Sequence, residues 1–294
     1  MLPRELLRKM RKIEIHTARL ADDQLAGQYQ SVFKGRGMAF SEVRQYQPGD
    51  DIRFIDWHVS ARLNDTYMKM YTEEREMTVM LLVDASASGW FGTKGAWKSE
   101  VAAEVAALLA FSAIKNNDRV GLIIFTDRVE KFVPPKKGKK HVLRVIMEIL
   151  GFKPEGRGTD LATGLEYLGK VTKRRSVAFL LSDFVAQGYE HALRVAWKRH
   201  DLIPVQLVDP REEELADVGL AFFEDLETGE IVPVDTGDRR VREAYRLQVA
   251  REKTARETVF RRLRMDSVTV RTDKPYVKPL VDFFAVRAKR LRAA

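Results

Sequence analysis

From about residue 76 onward the chain alternates between short apolar runs and longer helical patterns, and this alternation restricts the fold more than any other feature. Nearly continuous apolar runs, which are typical of strands buried on both faces, are MTVMLLVD (77–84), RVGLIIFT (119–126), SVAFLLSD (176–183) and DLIPVQLVD (201–209). Helical patterns lie between them at about 97–116, 139–150 and 160–171. The sequence therefore predicts an α/β fold with a doubly wound, mostly parallel sheet and right-handed crossovers.

Shorter segments complete this pattern. VEKFVPP (129–135) predicts an edge strand, because its two prolines cannot donate hydrogen bonds to a neighbouring strand. A short hairpin is predicted near 221–235. A long charged helix over about 238–264, a last strand SVTVRT and a helix from Pro275 follow.

The first 75 residues follow a different pattern, and we expect them to form an N-terminal helix and a small β-rich extension. At the start, one apolar face at helical spacing indicates an amphipathic helix docked on its own protein, with Leu2, Leu6, Leu7, Met10 and Ile13 on that face. Between 28 and 75, glycines and prolines separate short alternating runs, which favours strands and turns over helix. The predicted division is 1–75 and 76–294, with the hairpin as an insertion in the second part.

Within this N-terminal part, PGDDIRFIDW brings several charges close together, among them Asp50, Asp51, Arg53 and Asp56. Carboxylates beside a guanidinium most often form a bidentate structural pair. We favour that interpretation over the alternative, a binding edge that faces a partner.

Oxygen-bearing side chains gather at one predicted edge of the sheet. Asp84 and Asp183 end two apolar strands, and open parallel sheets bind ligands beyond the carboxyl ends of their strands. After Asp84 the chain reads D-A-S-A-S, which places Ser86 and Ser88 on the turn past the strand. Thr159 lies in G-R-G-T-D, on a loop at the same edge where two glycines allow a close approach.

Two carboxylates and three hydroxyls are hard oxygen donors, which suit Mg²⁺ or Mn²⁺ and not zinc. If the carboxylates act partly through water, the cation keeps excess positive charge and attracts another anionic oxygen, such as a partner's Asp or Glu. In the alternative interpretation the acid and serines only cap the turn between strand and helix, which leaves Thr159 and Asp183 unexplained. The sequence therefore predicts a metal site formed by Asp84, Ser86, Ser88, Thr159 and Asp183.

At these five positions the chain resembles the von Willebrand factor A-type domain, whose metal-ion-dependent adhesion site has the pattern DxSxS…T…D, over about residues 76–291. A narrower resemblance covers almost the whole chain. GRGMAFSEVRQYQPGDDIRFIDWHVSARLN, DPREEEL and DLETGE are similar to segments of an uncharacterised bacterial family catalogued as domain of unknown function fifty-eight. This resemblance implies that the chain acts together with a MoxR-type AAA ATPase in chaperone-like assembly or maturation. The resemblance assigns no catalytic residues to the chain. Many related chains have Met where this one has Gly89, and we expect no effect on metal binding.

Several enzyme classes lack their chemistry here. A phosphatase of the haloacid dehalogenase type with Asp84 as nucleophile needs a second acid two residues later, where this chain has Ser86. A serine hydrolase needs a base beside its nucleophile, and the chain offers no GxSxG elbow and only five scattered histidines. No phosphate-binding glycine loop is present, so we do not expect ATP binding by the chain itself. A metal-dependent phosphoester hydrolase is the alternative that stays open.

Nucleic-acid binding is the other open alternative. Residues 238–264 hold ten Arg and Lys against four Asp and Glu, a net +6 of the chain's +9, and such clustering can be an electrostatic footprint. An apolar stripe runs along the same helix, formed by Val241, Tyr245, Val249, Val259, Phe260 and Leu263. We therefore interpret the charged side of this helix as a solvated outer face, or as a surface for an acidic protein partner, and not as a surface that binds nucleic-acid phosphates.

These patterns together predict a non-enzymatic cytoplasmic module that binds a partner carboxylate through Mg²⁺. Cytoplasmic residence is expected because no run approaches the ~20 apolar residues that span a bilayer, and the start lacks the apolar run of a signal peptide. The chain contains no cysteine, which excludes disulfides, thiolate metal ligands and a cysteine nucleophile.

Overall fold

The structure is a computed structural model that describes residues 4–21, 25–33, 39–72, 76–92 and 97–293. Its helices are α1 (Arg4–Leu20), α2 (Ala26–Val32), α3 (Trp57–Leu63), α4 (Lys98–Lys115), α5 (Lys139–Leu150), α6 (Leu161–Val171), α7 (Glu190–Arg199), α8 (Pro210–Glu213), α9 (Arg239–Arg262) and α10 (Val277–Ala293). Its strands are β1 (Ala39–Gln45), β2 (Tyr67–Thr72), β3 (Thr78–Asp84), β4 (Arg119–Phe125), β5 (Val129–Lys136), β6 (Val177–Ser182), β7 (Asp201–Val208), β8 (Leu220–Glu224), β9 (Ile231–Asp235) and β10 (Val268–Arg271).

A six-stranded sheet with the order β10-β7-β6-β3-β4-β5 forms the centre of the fold. Every neighbouring pair is parallel except β4 and β5. The antiparallel β5 lies at the edge of the sheet, where its prolines were predicted to place it. Met80 and Leu82 pack against α6 and α7, and α4 also contacts the sheet, at β3, β4 and β7. The predicted mixed α/β fold with a mostly parallel sheet is confirmed.

Helix α4 forms the apolar layer beside the sheet. Its residues from Val101 to Ala113 are buried apart from Glu104, as expected for a helix that is apolar all round and covered on several sides. α1, α2 and α5 contact α4. On α1, Ile13 and Thr17 are buried, so the helix docks on its own protein.

The chain divides into two compact units, Met1–Val32 with Thr78–Ala294, and Phe33–Met77. The first 32 residues group with the α/β part and not with the β-rich segment. The physical reason is that α1 and α2 cover α4. The spacing of apolar residues on α1 predicts an apolar face, but it does not tell which element that face packs against.

The small unit contains an antiparallel pair, β1 and β2, and the helix α3. The expectation of strands and turns without helix between 28 and 75 is wrong at α2 and α3. Asp56 starts α3 by accepting hydrogen bonds from the backbone N–H groups of His58 and Val59. Arg53 binds both carboxylate oxygens of Asp51, with N···O distances of 3.0 and 2.6 Å.

Two further elements of the larger unit bear on the site. β8 and β9 form the antiparallel hairpin that was predicted near 221–235. On α9, the predicted stripe of apolar residues is less exposed than the opposite face, and Phe260 is buried. No helix in the described part of the chain has the length and apolar character needed to cross a membrane.

Candidate metal centre

The candidate centre lies at the carboxyl ends of the neighbouring parallel strands β3 and β6. Asp84 is the last residue of β3, and Asp183 follows β6 directly. Both strands consist of apolar residues that are buried on the two faces of the sheet, so they fix the positions of the acids that end them. The sequence prediction that these two carboxylates share one edge of the sheet agrees with the observed topology.

Asp84 is held by polar groups from two elements. One carboxylate oxygen accepts a hydrogen bond from the backbone N–H of Ser86 (3.0 Å), and the other accepts from the hydroxyl of Ser182 (2.7 Å). Burial, together with the nearby Asp183 carboxylate, raises the pKa of Asp84 to about 6. Within the described residues, the groups that bond to Asp84 bring no positive charge to its ionised form.

Ser86 directly precedes a short 3-10 helix, Ala87–Trp90, and Ser88 lies within that helix. The hydroxyl oxygens of Ser86 and Ser88 are 3.0 Å apart and share a hydrogen bond. Ser86 is buried, and the hydroxyl of Ser88 lies close enough to the carboxylate of Asp183 to help lower the pKa of that carboxyl. Four of the five predicted residues thus lie together in one polar cluster.

Lys98, the first residue of α4, is part of this cluster and was not predicted. Its buried ammonium group lies 2.8 Å from Asp183 Oδ2 and 2.5 Å from Glu212 Oε1. Burial alone would lower the pKa of Lys98, but the carboxylates of Asp183 and Glu212 outweigh it and raise that pKa. Burial likewise acts to raise the pKa of Asp183, and Lys98 outweighs it, so the pKa of Asp183 is lowered. Asp183 is therefore ionised and paired.

Thr159 stands apart from the other four. Its loop approaches the serine motif, because the backbone N–H of Ala87 donates to the carbonyl of Arg157 (3.1 Å). The hydroxyl of Thr159, however, donates to Oε1 of Glu227, in the turn of the β8–β9 hairpin, at 2.5 Å. The sequence did not assign a role to Glu227, although the segment DLETGE that contains it carried part of the family resemblance.

Gly156 allows the loop before Thr159 its close approach. A Cβ at this position would overlap Oγ1 of the buried Thr126 and Oδ1 of Asp127. The backbone N–H of Gly156 donates to Glu130 Oε1 (2.8 Å), which also accepts from the hydroxyl of Thr126 (2.9 Å). The loop that carries Thr159 is therefore fixed against the end of β4.

The donor set suits a hard cation. Apart from Lys98, the cluster presents carboxylate and hydroxyl oxygens, and each oxygen of Asp84 has a lone pair beyond its observed hydrogen bond. The partly buried carboxyl of Asp84, with its raised pKa, is a group that a positive ion would stabilise. Within the described residues, no three His, Asp or Glu side chains are grouped as ligands for a metal ion.

A cavity of about 430 Å³ opens beside Asp84 and Ser86. Apolar side chains form much of its wall, namely Ile124, Ile149, Leu150 and Phe152. Lys9 and Glu100, which form an ion pair of 2.6 Å, also line it. The cavity can accept an apolar group next to the acid of the motif.

Comparison with known proteins gives one family. The model of the family described as "Protein of unknown function DUF58" matches residues 42–255. The uncharacterized protein Rv1480 of Mycobacterium tuberculosis (strain H37Rv) is 30% identical over 288 residues, which cover 97% of this chain and 90% of that protein. The uncharacterized protein YeaD of Bacillus subtilis is 23% identical over 184 residues, 63% of this chain and 43% of that protein.

Solved structures show weaker likeness. The conserved hypothetical protein BatB from Bacteroides thetaiotaomicron aligns with a TM-score of 0.46 and 14% identity, and the match covers 72% of this chain and 99% of that one. The VWA domain of SpRpn10 aligns with a TM-score of 0.34 and 11% identity over 45% of this chain and 76% of that one.

Proposed function

The chain belongs to the DUF58 family of proteins of unknown function, and we propose that it is a non-enzymatic module that binds a protein carboxylate through a divalent cation. The observation that carries this proposal is the grouping of Asp84, Ser86, Ser88 and Asp183 at the carboxyl ends of two neighbouring strands. We propose that this cluster is an adhesion site of the von Willebrand factor A type that binds Mg²⁺ or Mn²⁺.

Each residue has a distinct part in this proposal. The hydroxyls of Ser86, Ser88 and Thr159 would hold the cation, while Asp84 and Asp183 orient it, largely through water. The bound ion supplies a positive centre for one more anionic oxygen. Ser182 and the backbone N–H of Ser86 keep the Asp84 carboxylate in place for this task.

The charge of the cluster supports a ligand from outside. Lys98 already neutralises part of the negative charge of Asp183 and Glu212, so Asp84 is the acid that lacks a cationic partner in the cluster. A divalent ion at this place keeps excess positive charge, and a partner's Asp or Glu offsets it. The apolar cavity beside Asp84 gives room for a neighbouring side chain of the partner.

The family resemblance suggests who that partner is. We propose that the module works with a MoxR-type AAA ATPase in chaperone-like assembly or maturation, in the cytoplasm, where such an ATPase finds its nucleotide. The exposed acid that binds the cation belongs either to the ATPase or to its client.

Catalysis and nucleic-acid binding are less well supported. His200 forms a hydrogen bond with Ser176, and His141 forms one with the backbone carbonyl of Val120. Neither histidine is therefore positioned as a base for a phosphoester hydrolase. On α9, Arg242 pairs with Asp217 (3.1 Å) and Lys253 with Glu213 (3.4 Å), which reduces the positive charge available for phosphates.

Partner capture tests the proposal. The immobilised protein, incubated with bacterial extract in Mg²⁺, should retain partners that EDTA releases, because the bridge needs the cation. Asp84→Ala and Ser86→Ala should lose these partners, whereas Asp217→Ala, which removes an exposed acid from an ion pair, should keep them. Recovery of the same proteins from every sample, with or without EDTA, would rule the metal bridge out.

A further inference from the structure

The turn of the β8–β9 hairpin brings a carboxylate of this chain to Thr159, one of the five predicted metal ligands. Oε1 of Glu227 accepts a hydrogen bond of 2.5 Å from the hydroxyl of Thr159. Among the residues that the structure describes, no acid from outside the predicted set engages a serine hydroxyl of that set, whereas Glu227 engages Thr159. We propose that Glu227 supplies, from within the chain, the anionic oxygen that a partner supplies in the bound state, so that the hairpin closes the site until a partner carboxylate displaces it.

This inference rests on the proposed function, and it adds a ligand and a means of regulation to that site. The carboxylate of Glu227 has the same chemistry as the partner's acid, so the two compete for one position. Because Glu227 is part of the chain, its effective concentration at the site is high. A partner carboxylate must therefore bind the cation tightly enough to displace Glu227. Free protein is then protected from weak or unspecific acidic ligands.

Hydrogen bonds within the turn fix the backbone position of Glu227. Oδ1 of Asp225 accepts hydrogen bonds from the backbone N–H groups of Glu227 (2.8 Å) and Thr228 (3.2 Å). The N–H of Gly229 donates to the carbonyl of Asp225 (2.7 Å), and Gly229 has φ +76°, which favours glycine. These bonds hold the turn in one conformation, with Glu227 less exposed than its neighbours in the turn.

Large apolar side chains on the strands of the hairpin are exposed to solvent. Phe222, Leu220 and Ile231 are 71%, 66% and 60% exposed. At the base, the buried Thr236 donates to the carbonyl of Gly219 (2.7 Å) and accepts from the N–H of Val218 (3.0 Å). The two ends of the hairpin are therefore joined to each other, while the tip is attached to Thr159 by a polar contact that another carboxylate can replace.

The test uses the full chain, with Mn²⁺ as the metal and acetate as the carboxylate probe. Glu227→Gln keeps the size of the side chain and an oxygen for Thr159 but removes the charge. We expect Glu227→Gln to weaken Mn²⁺ binding by on the order of tenfold and to strengthen acetate binding to the Mn²⁺-loaded protein. Protease cleavage within 225–230 should also become faster, because the tip is released. Glu230→Gln, on the same turn, serves as the control and should leave all three quantities unchanged.

The outcomes separate this inference from the proposed function. If the wild-type chain binds no Mn²⁺, both fail. If it binds Mn²⁺ at Asp84 but Glu227→Gln matches the wild type in Mn²⁺ affinity and acetate response, the proposed function stands and the internal ligand is ruled out.

Discussion

Replacing Lys98 by methionine should lower the free energy of unfolding by about 3–5 kcal/mol, which is the usual cost of removing one partner from a buried ion pair. The ammonium of Lys98 is buried between Asp183 and Glu212. Without it, the carboxylate of Asp183 is left in a buried place without a counter-charge, and the pKa of Asp183 should rise from its lowered value. Urea unfolding at pH 7 measures the effect.

Lys139→Met is the matched control. Lys139 pairs with Glu14 at 2.8 Å, but its side chain is 65% exposed, so the loss should stay below about 1 kcal/mol. Adding Asp183→Asn to Lys98→Met should restore part of the lost stability, since the uncompensated charge is then absent. Equal effects of the two lysine substitutions would show that Lys98 does not neutralise the cluster.

Replacing Gly156 by alanine should destabilise the protein by about 1–3 kcal/mol, as overpacking of a fixed site does. The added methyl group would overlap Oγ1 of Thr126, which is buried and cannot turn away freely. The loop must then shift, and Thr159 shifts with it, so Mn²⁺ binding should weaken as well. Thermal unfolding and a Mn²⁺ titration of the same sample measure both effects.

Gly158→Ala provides the control two residues further on. A Cβ at Gly158 meets Asp127 Cβ at 3.7 Å, an ordinary van der Waals contact. We expect little change in stability and in metal affinity there. The account of the loop fails if Gly158→Ala is as damaging as Gly156→Ala, or if both are harmless.

The strands and the sheet edge could be predicted because their signal is local. Each buried strand is a nearly continuous apolar run, and the acids at 84 and 183 end two of them, so parallel pairing alone brings the acids together. The fold class and the position of the edge strand β5 follow from the same reasoning.

The features that were missed depend on contacts between distant residues. Lys98 begins a helix whose sequence is mostly apolar. The partners of Lys98 follow 85 and 114 residues later. Glu227 reaches Thr159 across 68 residues, and no periodicity connects a hairpin turn with a loop so far away. The helix α3 depends on one capping carboxylate, Asp56, within a segment of turn residues.

Mn²⁺ binding, followed by electron paramagnetic resonance, tests whether Asp84 belongs to a site for a divalent cation. The wild-type chain at pH 7.5 should bind one equivalent of Mn²⁺, which Mg²⁺ displaces and EDTA removes. Asp84→Asn, which keeps the shape of the side chain, should lose this binding while its circular dichroism stays that of the wild type. Absence of saturable binding to the wild type, or equal binding by Asp84→Asn, would contradict the account.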